Sequence, residues 1–197
     1  MILKRCDWAG DDPLYQAYHD NEWGIPSYDD RHLFEMLILE GAQAGLSWLT
    51  VLKRREGYKD VFDQFDWSIN MRYTDDELLE KLKDERIIRN RLKVFSVRNN
   101  AISFQKIIDE YGSFSHYLWA FVDHKPIVNQ WETIDEVPAT TEISDRLSQD
   151  LKKRGFKFVG STICYAYMQA VGLVNDHIST CFSARSTKKG ANAPSNN

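Results

Sequence analysis

The sequence predicts an all-α fold, and three observations carry that expectation. Capping residues followed by apolar side chains at i, i+4 spacing recur along the chain. Only Phe156-Lys157-Phe158-Val159 alternates as a strand would, and it lies between Gly155 and Gly160, too isolated to build a sheet. At 197 residues, the length suits one compact domain.

The elements follow in order. Asp29-Asp30 offers an N-cap, and Leu33, Phe34, Leu37, Ile38 and Gly41 then share one helical face. Ser47 can cap a helix from Trp48 to about Arg54. Thr74-Asp75-Asp76-Glu77 fits a capping box ahead of Leu78, Leu79 and Leu82. A long helix from about Arg91 to Tyr111 would bury Leu92, Phe95, Val97, Ala101, Phe104, Ile107 and Ile108. Ser113 can cap Phe114–Val122, and Thr140–Arg154 opens with hydroxyls and closes with bases before Gly155, which suits the helix dipole. Thr162–Val174 is an apolar run with Gly172 near its end. Eight or so helices in a single domain over residues 1–184 result. From about Arg185 the chain is Ser, Lys, Gly, Ala, Pro and Asn, and residues 185–197 are expected to be disordered.

Composition narrows the class of protein. A hydrophobic share of 43% against 27% charged fits a globular chain and excludes a disordered one. No apolar run approaches the ~18–20 residues of a membrane span. The N-terminus lacks a signal-peptide core, and three cysteines make no disulfide framework. A cytoplasmic address is expected, with no membrane partner. The net charge of −4 taken alone counts mildly against nucleic acid, but its distribution points the other way. Residues 1–40 hold nine acids and three bases. Residues 86–98 carry Arg86, Arg89, Arg91, Lys93 and Arg98 without an acid, and residues 151–157 carry Lys152, Lys153, Arg154 and Lys157 likewise. Such clusters can bind phosphates, although a solvated helix face is the commoner origin.

Two constellations carry chemistry. His177 and Cys181 would share a face if helical, and Cys6 with His19 forms a second thiol–imidazole pair. Together they would make a Cys2His2 set, which suits tetrahedral zinc without an open position. The spacing alone is weak, because free cysteines are commonly small buried hydrophobes, as Cys164 is expected to be. Trp8, Tyr15, Tyr18, Trp23 and Trp48 crowd the first 48 residues, and Glu40 ends an apolar helical face before Gly41-Ala42-Gln43-Ala44-Gly45. Flat rings can stack a heterocycle, at ~1–3 kcal/mol per base. A nearby carboxylate would accept hydrogen bonds from its edge. The plainer reading is an aromatic core with Glu40 paired to a base or capping a helix.

These residues in order resemble the 3-methyladenine DNA glycosylase I family of the helix-hairpin-helix superfamily. The resemblance rests on Asp12–Tyr15, Tyr18–Gly24, Leu33–Met36, Leu39–Trp48, Ile87–Arg91, Lys152–Gly160 and Gly172–His177 with Cys181, roughly residues 5–181. It implies a two-lobed helical fold and one structural Zn²⁺ per chain on Cys6, His19, His177 and Cys181, joining the N- and C-terminal segments. It implies a base pocket of Tyr18, Trp48 and Glu40, with Trp8, Tyr15 and Trp23 around them. The implied partner is double-stranded alkylated DNA, the implied product free 3-methyladenine, and a monomer is expected. Glu40 is the expected catalytic residue, acting in recognition first. Arg86, Arg89, Arg91 and Lys93 would meet the DNA backbone. The sequence departs from the superfamily at the hairpin, where Arg86 and Leu92 stand in place of glycines. A catalytically silent, zinc-stapled binder of methylated purines is the alternative.

Overall fold

A computed structural model describes residues 4–184; the tail expected at 185–197 lies outside the described residues. A 3-10 turn at Asp7–Ala9 leads into α1 (Pro13–Asn21), where the Asp12 carboxylate accepts from Leu14 N and proline occupies the first turn. α2 (Asp30–Gln43) starts under Asp29, which accepts from His32 N. Ser47 caps α3 (Trp48–Leu52), which ends short of the expected Arg54, and a separate α4 (Arg55–Val61) follows. α5 (Trp67–Asn70) begins under Asp66, and α6 (Asp75–Lys81) opens on the Thr74–Glu77 capping box. α7 (Arg91–Tyr111) spans the residues expected of it, between the Asn90 cap and a left-handed Gly112, but Leu92, expected to be buried, is exposed at its first turn. α8 (Phe114–Trp119) runs into a 3-10 turn at Ala120–Val122. α9 (Glu142–Lys153) and α10 (Ser161–Ala170) complete ten α-helices among the described residues.

The fold is helical, as the sequence predicts, and it gathers on α2. Leu33 to Ala42 are buried without a break, Glu35 and Glu40 included. A single buried face was expected; all sides are covered because α3, α7, α8 and α10 pack around the helix. α5, α6 and α8 pack against α7, and α9 packs against α10. The turn between α6 and α7 is the hairpin. No residue from Leu82 to Asn90 takes a positive φ, so this hairpin has no conformational need for glycine. Gly57 on α4 lets it close: a Cβ there would lie 2.5 Å from Arg86 Cβ.

A short parallel pairing has no counterpart in the sequence pattern. β1 (Ile127–Val128) and β2 (Val174–Asn175) pair in parallel, Ile127 opposite Val174 and Val128 opposite Asn175. Each strand is two residues long, too short for alternation to show. The Phe156–Val159 stretch forms no strand, and its flank Gly155 adopts φ +94°. Gly172 ends the α10 segment at φ +75°, and a Cβ there would meet the Ile25 carbonyl carbon at 2.2 Å. That contact seats the α1–α2 connection on the end of α10.

Candidate active site and metal centre

Cys6, His19, His177 and Cys181 converge. All four are buried, and their ligand atoms lie within 4.8 Å of one another. Cys181 Sγ is 3.5 Å from both His19 Nε2 and His177 Nδ1, and Cys6 Sγ is 3.6 Å from His177 Nδ1. Each imidazole is oriented by its other nitrogen. His19 Nδ1 meets Asp20 Oδ1 at 2.9 Å, and His177 Nε2 meets the Trp23 carbonyl at 3.1 Å. Asp20 is itself gripped by Arg5, with contacts of 2.8, 3.1 and 2.7 Å. A carboxylate or carbonyl behind each histidine is the usual support of metal ligands. Hydrogen bonds from Cys6, His177 and His19 hold the Cys181 thiol far below its ordinary range, whereas the hydrogen bond to Cys181 and burial push Cys6 up. This cluster is competent to bind a metal. His177 and Cys181 sit in the irregular segment after β2, on either side of the Ile178 bridge, not on the helix that their spacing suggested. The cluster therefore ties α1 to the segment beyond α10 rather than to a last helix.

Beside it lies a cavity of about 340 Å³. Every residue expected in the base pocket lines it: Trp8, Tyr15, Tyr18, Trp23, Glu40 and Trp48. The reading of a solid aromatic core is thereby excluded. The rings touch in a chain, with centroids 4.9 Å apart for Trp8 and Trp23, 5.0 Å for Trp8 and Tyr15, and 5.5 Å for Tyr18 and Trp48. Tyr18 and Trp48 are tilted by 48°. They make two adjoining walls, too close to admit a ring between them. Trp8 and Trp23 also contact the histidines of the cluster: Trp8 packs at 5.1 Å on His19, and Trp23 at 4.6 Å on His177.

Glu40 is not paired to a base, the first option of the plainer reading. It is 4% exposed, and its Oε2 has no hydrogen-bond partner; neither has Trp48 Nε1. Burial raises the Glu40 carboxyl to about 8, so it is protonated at neutral pH. Burial and the nearby Glu40 push the Tyr18 phenol up as well. Two unsatisfied buried polar atoms at one cavity are rare in a finished core and ordinary in a ligand site. Glu40 is the sole carboxylate among the described residues lining it. Asp84 is taken up by Arg86, Glu85 faces Arg89 at 3.7 Å, and neither lines the cavity.

The rest of the lining was not foreseen from the sequence. It comprises Gln43 of α2, Ile134 and Val137 to Ala139, and Thr162, Tyr165, Ala166 and Gln169 of α10. Tyr165 and Gln169 sit four apart within an apolar run, and that polar spacing was the available signal. Nothing local marks the 134–139 loop.

The basic residues separate. Arg86 is exposed but spans Asp60 at 2.9 Å and Asp84 at 2.8 Å. Arg89 is exposed at the hairpin, and Arg91 is exposed over the Phe95 ring at 4.5 Å. Lys93 turns inward instead. Its Nζ donates to the Ala42 and Ala44 carbonyls at 2.8 and 2.7 Å, closing the C-terminus of α2. In the second cluster, Arg154 is engaged by Glu110 and Asp150, while Lys152, Lys153 and Lys157 are exposed.

A helical fold with exposed arginines at the turn between α6 and α7 and an aromatic cavity holding an unpaired carboxyl is the arrangement that the resemblance to DNA glycosylases leads one to expect. The sequence matches the methyladenine glycosylase family over residues 8–184, and the chain belongs to that family. It is 51% identical over 180 residues to DNA-3-methyladenine glycosylase 1 of Escherichia coli (strain K12), covering 91% of this chain and 96% of the relative. A crystal structure of a 3-methyladenine DNA glycosylase I superposes with a TM-score of 0.89 at 51% identity, covering 91% of this chain and 98% of the other. A structure of the Staphylococcus aureus enzyme, concerned with 3-methyladenine recognition, superposes at 0.90 with 36% identity, covering 93% and 98%. No helix among the described residues is long and apolar enough to cross a membrane.

Proposed function

We propose that the extruded base enters the Trp8–Trp48 cavity and is read there by Glu40. The enzyme is a DNA-3-methyladenine glycosylase: it hydrolyses the N-glycosidic bond of N3-methyladenine in alkylated DNA and releases the free base. The observation that carries the pocket assignment is the pair of unpartnered buried atoms, Glu40 Oε2 and Trp48 Nε1, at a cavity walled by aromatic rings.

A base inside a duplex is out of reach, so the nucleotide must flip out of the stack. The purine then lies against Trp48 and Tyr18, with Trp8, Tyr15 and Trp23 enclosing it. Glu40 accepts hydrogen bonds from the base edge. N3 methylation makes the attached adenine cationic, and electron-rich ring faces attract a cation. Bond cleavage returns electrons to the base, which leaves neutral, and puts positive charge on the sugar, where water attacks. The glycosidic bond is already weak, so strong general-acid help is not required.

Arg89 and Arg91 are the residues placed to anchor phosphates, with Arg86 constrained by its two carboxylates. The zinc reading fits the metal centre. Cys6 and Cys181 supply thiolates, His19 and His177 supply neutral imidazoles, and both imidazoles have orienting partners. Four protein ligands complete the tetrahedron, so the ion would be structural, one per chain. Its role is to fix α1 and Trp23 against the segment after β2. A monomer acting on duplex DNA would need no residue from a second copy to complete the pocket or the Cys2His2 cluster. Three cysteines outside any disulfide and a DNA substrate accord with the reducing cytoplasm.

The test is single-turnover release from methylated duplex DNA, with the products identified. Free 3-methyladenine is expected from the natural protein, and Glu40→Gln should slow release by about 10- to 100-fold, the worth of a hydrogen bond to a charged group. Full affinity and full rate in Glu40→Gln would refute the assignment. Binding without release by the natural protein would instead support the silent binder.

A further inference from the structure

Behind the cavity wall lies a carboxylate that the reaction does not touch. Asp176 is fully buried, and no cation pairs with it among the described residues. Four neutral donors surround it. Asn129 Nδ2 and Trp131 Nε1 reach Oδ1 at 2.7 and 2.8 Å, while the Tyr165 hydroxyl and Gln169 Nε2 reach Oδ2 at 2.5 and 2.8 Å. Two of these donors, Tyr165 and Gln169, line the cavity one turn apart on α10.

A carboxylate only accepts hydrogen bonds, so it decides which way an amide turns. Gln169 must present its nitrogen to Asp176, which leaves Oε1 on the other edge of the amide. Nothing in the described protein donates to that oxygen. Gln169 is half-buried at the cavity, held at its far end by a charge that cannot move. Its amide is therefore an acceptor set in advance.

We propose that Gln169 is a specificity-determining residue and Asp176 its positioning residue: together they present a fixed acceptor to the purine edge, which favours a 6-amino purine over a 6-oxo purine. An amino group at C6 donates to Gln169 Oε1. A carbonyl at C6 would meet it acceptor to acceptor, leaving both without a proton. Sites built to hydrogen-bond one group reject analogues that leave them unpaired more strongly than apolar pockets reject a change of size. The proposal rests on the cavity being the base pocket, and it names the chemical distinction that pocket makes between 3-methyladenine and 3-methylguanine.

The experiment compares two free bases, 3-methyladenine and 3-methylguanine, titrated against tryptophan fluorescence of the zinc-loaded protein. The same comparison is then made for excision from methylated duplex. Asp176→Asn removes the obligatory acceptor and frees the Gln169 amide to invert; Gln169→Met keeps length and removes the oxygen. Each should lower the preference for 3-methyladenine by about 10-fold, most of it through weaker adenine binding. A merely structural role for Asp176 would lower the melting temperature and weaken both bases alike, leaving the ratio unchanged. If Asp176→Asn does not fold, the Gln169→Met ratio decides. An unchanged ratio in Gln169→Met overturns the proposal. A natural protein that excises 3-methyladenine while its variants keep the ratio sinks this inference alone. One that binds neither base sinks the pocket assignment, and this inference with it.

Discussion

Glu40→Gln should stabilise the empty enzyme, and increasingly so as the pH rises. The folded chain keeps the Glu40 carboxyl protonated up to about 8, whereas an unperturbed one titrates at 4.5. Between those values the folded state holds a proton that the unfolded state has lost. Raising the pH through this window therefore favours unfolding, by about 1.4 kcal/mol per pH unit. The accumulated loss is on the order of 3 kcal/mol at pH 7 and about 5 kcal/mol above pH 8, as an upper limit on a fully buried group. Glutamine has nearly the same shape and does not titrate, so the variant escapes this loss. The assay is urea unfolding of both proteins from pH 5 to pH 8.5 without DNA, taking the difference at each pH so that titrations common to both cancel. That difference should be small near pH 5 and grow through neutrality. A difference flat to within about 0.5 kcal/mol across the window would mean that Glu40 is solvated or paired, and the argument from its burial would fail.

Chelating the metal, or making Cys181→Ser, should lower the melting temperature by about 10 °C or more, since structural zinc contributes folding energy directly. Zinc should restore the chelated natural protein, and an unchanged melting temperature after stoichiometric zinc release would contradict the structural role. Arg89→Ala and Arg91→Ala should each flatten the dependence of log K on log salt by about 0.9 for every phosphate lost. Lys93→Ala should leave that slope alone and lower stability instead, because its ammonium closes α2; a slope change at Lys93 would reverse this division.

What the sequence disclosed divides along the range of the interactions. Caps are local, so Asp29, Ser47, Thr74 and Ser113 mark helix starts that the structure reproduces. The breadth of burial on α2 is not local. Leu33–Ala42 reads as one face, yet the environment of Glu35 and Glu40 is set by helices far along the chain. The four residues of the Cys2His2 cluster run from residue 6 to residue 181, and no spacing rule links them; only the family resemblance grouped them. The 134–139 part of the pocket lining stayed hidden because its loop follows the paired backbones of 127–131 and 173–179, where Ile127 N donates to Leu173 O and Ser179 N to Trp131 O. The left-handed Asp63-Gln64-Phe65 turn, at φ 50°, 54° and 55°, was equally invisible. It contains no glycine and depends on Asn70 binding the Phe62 carbonyl at 2.8 Å and Lys81 binding the Val61 carbonyl at 2.5 Å.

The cost carried by Glu40 bears on how one group can recognise a cation without trapping it. On the proposed reading, the methylated base arrives charged, and its charge moves to the sugar as the bond breaks. A carboxylate locked in the ionised state would hold the charged substrate more tightly than the departing neutral base. That preference stabilises the ground state and works against the reaction. Glu40 titrates at about 8 in the empty cavity, so ionisation at pH 7 costs only about 1.4 kcal/mol and an incoming cation can supply it. When the base turns neutral, the attraction ends and the same desolvation favours return of the proton. Undamaged adenine offers no charge at any stage, so it gains the stacking and the hydrogen bonds but not the ion pair. Selectivity then comes from a carboxyl whose burial leaves both protonation states within reach at neutral pH, and Tyr18 and Trp48 keep it so by excluding water without supplying a counter-charge.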